Sequence, residues 1–178
     1  IQSIPSPTFH ESNRAKYIFN AFLKRNLQSV EIDSVGNVIG FLPGLNSNAQ
    51  IVVSAHLDTI HDLSIDHQIR KESTRWIAPG IGDNTTSLAI MLAIIDYFKE
   101  KPNLPAIGIW FVANVQEEGL GNLTGFKQIV DRFTNNVRAY LVLEGIGLGT
   151  IYHRGLGVKR YQLEVQTKGG HAWGDFGK

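Results

Sequence analysis

One imidazole and five carboxylates in this sequence fall where a folded chain could aim them at a common point. His56 and Asp58 follow the apolar run IVVSA, Glu117 and Glu118 follow IWFVANVQ, Glu144 follows LVL, and Asp83 sits in GIGDN. Each has a plain explanation when taken singly. A His-x-Asp after a strand is commonly a loop hydrogen bond, a Glu-Glu pair a solvated turn, Asp83 a helix cap and Glu144 an exposed strand end. Their joint placement weighs the other way. Carboxylates crowded together repel one another unless cations neutralise them. Mixed imidazole and carboxylate ligation suits zinc, with manganese or cobalt as alternatives. Such a set is equipped for hydrolysis, because bound metal polarises a carbonyl and a neighbouring carboxylate moves the proton.

The local spacing suits those roles. Residues 56 and 58 lie two apart on an extended segment and point the same way, so one can bind metal while the other orients it. Glu117 and Glu118 are adjacent and diverge, so one can ligate while the other serves as general base; periodicity leaves open which does which.

The elements that must position these groups are legible in outline. Thr8 and Glu11 stand in capping-box spacing ahead of a helix whose apolar face is Ala15, Ile18, Phe19, Phe22 and Leu23. Segments 30–33 and 37–42 alternate around Ser34, Val35 and Gly36 and predict a hairpin. Residues 51–56, 106–113 and 139–143 are continuous apolar runs and predict buried strands. Between them, residues 59–80 form a long polar loop with a short hairpin. A helix over about 84–101 is apolar nearly all round and is expected to be well buried, and another spans 122–133. Tyr161, Leu163 and Val165 alternate with polar residues and predict a strand with one wet face. The order β-α-β-α-β predicts an α/β sandwich with helices on both faces of the sheet. Ligands of such sheets bind at the carboxyl ends of the strands, where the acidic groups lie.

Bulk composition narrows the partners. With 178 residues, 43% hydrophobic, the chain can bury a sizeable core. Seventeen basic against 16 acidic residues leave a formal charge of +1, which gives no electrostatic reason to expect nucleic acid or an acidic membrane. There is no cysteine, which excludes disulfides and thiolate metal sites. No apolar run reaches the roughly 20 residues of a membrane span. A cytoplasmic location is expected, although a leader upstream of Ile1 would leave no trace here.

The motifs SAHLDT (54–59), GIGDN (80–84), QEEGLGN (116–122) and LEG (143–145) resemble the dizinc peptidase family that includes glutamate carboxypeptidase, aminoacylase, succinyl-diaminopimelate desuccinylase and tripeptidase T (family M20, clan MH). Asp83 lies 25 after Asp58, Glu118 lies 35 after Asp83, and Glu144 lies 26 after Glu118, in the family's order. SIPSPTFHE (3–11) and GNVIG (36–40) also look like that family's opening. The resemblance implies a three-layer α/β/α catalytic domain with a mostly parallel mixed sheet, and cleavage of peptide or N-acyl amide bonds with two divalent ions, zinc first. It implies that His56 and Glu144 ligate one metal, that Asp83 bridges the two, and that Glu118 ligates the other. Asp58 would orient His56, and Glu117 would be the general base that activates water. GGHAWGDFG (169–177) is similar to the family's entry into a lid and dimerisation domain, so the resemblance divides the chain into 1–166 and 167–178. His171 would reach the active site of the other subunit of a homodimer.

The sequence departs from that pattern in one respect. The family's last histidine ligand lies far downstream, and His10, His61, His67 and His153 are all in the wrong place for it. His153 is expected to serve structure. The chain therefore reads as an N-terminal fragment, inactive in isolation, with the lid missing. The rival readings are a related lid-less dizinc aminopeptidase, against which 169–177 argues, and a non-catalytic domain on the same fold.

Overall fold

The computed structural model describes residues 1–178 apart from 135, 146, 160 and 178. Helix α1 (Ser12–Lys24) is followed by the hairpin β1 (Gln28–Ile32) and β2 (Val38–Leu42), and then by β3 (Asn46–His56). A long loop carries the small hairpin β4 (Arg70–Lys71) and β5 (Trp76–Ile77). An irregular turn, Ile81–Thr85, opens into α2 (Thr86–Lys99), and β6 (Ile107–Asn114), α3 (Thr124–Phe133) and β7 (Tyr140–Val142) complete the order.

The main sheet runs β1-β2-β6-β3-β7, antiparallel at β1-β2 and β2-β6 and parallel at β6-β3 and β3-β7. It separates two apolar cores. On one face Ile18 and Phe22 of α1 and Leu88, Met91 and Ile95 of α2 pack with Val53, Ala55 and Phe111 of the sheet. On the other, Ile129 and Phe133 of α3 pack with Ile39, Val52 and Val112. This is the expected three-layer α/β/α sandwich with a mixed sheet.

Several details differ from the sequence expectations. Thr8 and Glu11 form no capping box, and α1 has no side-chain cap hydrogen bond. A cap is worth about 1 kcal/mol, whereas full burial of each of Ile18 and Phe22, both 0% exposed, is worth about 1.5–3 kcal/mol. Tertiary burial therefore holds α1, and the two polar residues are free for other partners. Leu23 is exposed, and the buried face of α1 takes in Arg14 instead. The Arg14 guanidinium donates to the carbonyls of Ile4 and Leu57. Helix α2 is not buried all round. It lies on one face of the sheet, so Ser87, Leu88, Met91, Leu92 and Ile95 are covered while Ile90 and Tyr97 face outward. Residues 161–165 form no strand. Tyr161, Leu163 and Val165 are exposed on an irregular stretch, because no neighbouring strand among the described residues offers a ladder. His153 lies in the same exposed stretch.

Register places the functional ends level. Across β3 and β6, Ala55 pairs with Ala113 and His56 with Asn114; across β3 and β7, Ser54 pairs with Val142. The amide of Leu57 then donates to Asn114 and that of Leu143 to Ser54. Three chain segments thus leave the sheet side by side at one edge.

Candidate metal centre

At that edge His56 is 2% exposed and Asp58 0%. Nδ1 of His56 lies 2.8 Å from the carbonyl oxygen of Asp58 and 3.5 Å from its Oδ1. Nε2 lies 2.9 Å from Oδ1 of Asp83 and 3.8 Å from Oε2 of Glu144. Both ring nitrogens face oxygen acceptors, so the ring is held as an imidazolium that donates at each. Burial works against that charge, but the hydrogen bond to Asp58 and the nearby charges of Glu144, Asp58 and Glu117 outweigh it and hold the His56 pKa at about 9. Glu144 is pushed up to about 7, first by burial and then by Asp83, Glu117 and Glu118, with His56 opposing. Glu118 is raised by burial and by the same crowd of carboxylates.

Glycine geometry brings Asp83 and Glu144 together. A Cβ on Gly145 would stand 1.4 Å from the carbonyl oxygen of Gly82, so the turn carrying Asp83 and the end of β7 can approach only through a residue without a side chain. Asn84 reinforces the junction by donating from Nδ2 to the carbonyl of Leu143 at 2.9 Å. The Asp83–Asn84 peptide bond is cis.

The loop after β6 is fixed amide by amide. The N–H of Val115 donates to Oδ1 of Asn37 and that of Gln116 to Oε1 of Glu11, both at 3.0 Å. The N–H groups of Glu117 and Glu118 donate to Oδ1 and Oδ2 of Asp58, both at 2.9 Å. Thr8 adds its hydroxyl to the same Asp58 oxygen that Glu118 uses, at 2.9 Å. Burial works to raise the Asp58 pKa, but the hydrogen bond to His56 and the amides of Glu117 and Glu118 hold it below the usual carboxylate range.

His56, Asp83 and Glu118 each offer a ligand atom, and these atoms lie within 4.8 Å of one another. Asp83, Glu117, Glu118 and Glu144 line one cavity with Tyr152. The donor set suits a divalent cation. Burial first, and then the neighbouring carboxylates, raise the pKa values of Glu118 and Glu144, and a bound cation would relieve both effects. Two of the expected site residues differ from the rest in setting. Asp58 turns its carboxylate to the loop amides as well as to His56. His171 is exposed, and its hydrogen bonds are local: its N–H donates to Asp175, and its Nδ1 accepts from the amide of Trp173. His67 is buried in the 59–80 loop, with Nε2 donating to the carbonyl of Asp62.

Sequence reasoning gave Thr8 and Glu11 only the part of a helix cap and assigned no role to Asn37, Gly82 or Tyr152. The first three lie in SIPSPTFHE and GNVIG, motifs that stood out without a chemistry to explain them.

Peptidase family M28 is the family whose model matches, over residues 37–153. The cytosol non-specific dipeptidase of Escherichia coli (strain K12) is 33% identical over 110 residues, 53% of this chain and 22% of the dipeptidase. The structure is similar to that of aminopeptidase PepT from Bacillus cereus (TM-score 0.64, 23% identity, 80% of this chain and 40% of that one). It is also similar to that of a tripeptidase from Staphylococcus aureus (TM-score 0.62, 20% identity, 80% and 40%). The chain therefore spans less than half the length of these relatives. The expected kinship with metal-dependent peptidases holds, with family M28 matched where the motifs resembled M20, and the expected fold holds as well. Among the described residues no helix is long and apolar enough to cross a membrane.

Proposed function

This chain belongs to peptidase family M28, and on that premise we propose that it is the metal-holding part of a hydrolase that cleaves peptide or N-acyl amide bonds with two divalent ions, zinc first. The observation that carries the proposal is the close set of His56, Asp83 and Glu118 ligand atoms, with Glu117 on the wall of the same cavity. Bound there, the ions would polarise the scissile carbonyl and ease deprotonation of water.

The protein's own groups do the rest. His56 and Glu144 would hold one ion, Glu118 would hold the other, and Asp83 would serve both. A histidine outside this chain completes the set. Asp58 keeps Nδ1–H of His56 directed at its own oxygens, which leaves Nε2 for ligation. Glu117 takes the proton of the attacking water and returns it to the leaving amine. Because Glu118 belongs to the close ligand set, its neighbour Glu117 is the residue left for proton transfer.

His171 acts across a homodimer interface formed by a lid that begins near residue 167. The names of the relatives speak of dipeptides and tripeptides, which makes those the first substrates to test, with N-acyl amino acids as the second class. The cytosolic dipeptidase supports a cytoplasmic location. A non-catalytic domain is disfavoured because every position of the acid and imidazole set keeps a competent residue, and the 169–177 segment supports a lid-bearing enzyme over a lid-less aminopeptidase.

Replacement of the two adjacent acids tests the reading. Glu117→Ala should retain metal and fold and lose on the order of 10²–10⁴ in kcat, whereas Glu118→Ala should lose metal. If Glu117→Ala lost metal and Glu118→Ala kept it, the two roles would be exchanged. Activity left intact in both would overturn the proposal.

A further inference from the structure

We infer that Glu11 is a positioning residue for the Glu117–Glu118 pair, acting through the amide of Gln116. The inference rests on the reading that this pair supplies the base and a metal ligand.

Glu11 precedes α1, in the place of a helix cap, yet it makes no side-chain cap bond. It is 5% exposed, and its Oε1 accepts from the N–H of Gln116, 105 residues away, at 3.0 Å. Gln116 has φ of 56°, a left-handed conformation that a residue with a Cβ adopts only where its surroundings impose it. This residue turns the chain out of β6 so that the next two amides meet Asp58. Asn37 holds the amide before it and Asp58 the two after it. Glu11 supplies the acceptor at the one strained residue of the four.

Without that acceptor, Gln116 can relax to negative φ, and the peptide plane that precedes Glu117 rotates. The shift falls on carboxylates whose placement sets the rate; a displacement of about 1 Å can cost on the order of 100-fold. Two further bonds from the residues just before Glu11 agree with this role. The hydroxyl of Thr8 reaches Asp58, and the amide of Thr59 donates to the carbonyl of Ser6, so the strap of residues 6–11 is fastened to the same edge.

The test uses the intact enzyme with saturating divalent metal, and amide hydrogen exchange of the metal-free protein. Glu11→Ala should lower kcat roughly 10- to 100-fold with KM within about twofold and metal content kept. Exchange should accelerate at 115–118 and not in β3 or β6. Glu11→Gln keeps an acceptor oxygen and should recover most of the rate. Gln116→Gly added to Glu11→Ala should recover part of it, because glycine adopts positive φ freely. An unchanged kcat in Glu11→Ala overturns the inference, as does a loss that neither second change recovers and that comes with faster exchange across the whole sheet. If Glu11→Ala does not fold, Glu11→Gln decides: a protected Gln116 amide with near-normal kcat supports the role, and an unprotected amide overturns it. Glu117→Ala assayed alongside separates the two readings. If that variant stays active, the base assignment fails, while exchange at Gln116 still reports whether Glu11 holds the loop.

Discussion

Nε2 of His56 donates to Oδ1 of Asp83 at 2.9 Å, so the two groups best placed to share a cation already share a proton. A metal ion taken up by this pair replaces that proton, and the exchange sets the pH dependence of binding. The His56 pKa of about 9 means the ring must lose a proton to ligate at any lower pH. Glu144, at about 7, must lose a second below neutrality. Affinity should therefore rise with pH and level off above about 9. Calorimetric zinc titrations in buffers of different ionisation enthalpy should show release of about one proton at pH 8 and about two at pH 6. Release of none at pH 8 would contradict the arrangement.

Asp58→Asn is expected to do more than disorient one histidine. The carboxylate serves His56, Thr8 and two loop amides together. An amide side chain has one oxygen, so its NH₂ must face the N–H of either Glu117 or Glu118. Metal affinity and kcat should both fall, each by roughly 10–100-fold, as when the group that orients a metal ligand is lost. Titration of the variant with zinc and steady-state rates at saturating metal separate the two effects; an unchanged kcat at full occupancy would remove the loop from the account.

Gly145→Ala places a methyl group where the Gly82 carbonyl oxygen lies. The Asp83 turn must retreat from β7, at a cost of about 1–3 kcal/mol for overpacking. Zinc affinity should drop with it because Asp83 and Glu144 part company. Thermal denaturation and metal titration of the same preparation check both; full affinity in this variant would mean that the junction does not set the site.

His171 can be tested without knowing the substrate's natural identity. Mixed His171→Ala and Glu117→Ala subunits should regain activity that neither parent has, since one hybrid site combines an intact base with an intact histidine. Absence of recovery after demonstrated subunit exchange would return His171 to the role of a loop residue.

The sequence exposed the strands and the acids at their ends because both obey short-range rules. An apolar run such as IVVSA is a strand by composition, and register then delivers His56, Glu117 and Glu144 to one edge. Thr8 and Glu11 misled for the same reason, since their spacing matches a local cap while their partners lie 50 and 105 residues away. The outward face of α2 was hidden because Ala89, Ile90 and Ala93 are as apolar as the residues that pack, and composition does not say which side meets the sheet. Gly145 stood in the LEG motif without a physical reason, because a need for empty space appears only when two segments meet.

The four loop amides at 115–118 also bear on how the chain folds. Their acceptors stand 59, 60, 78 and 105 positions away along the sequence. Contacts of such separation close large loops and form after the local hairpin and helices. The β2–β6 and β3–β6 pairings span similar separations, so Glu117 and Glu118 should gain their anchors only as the central sheet closes, after the β1–β2 hairpin and the helices have formed.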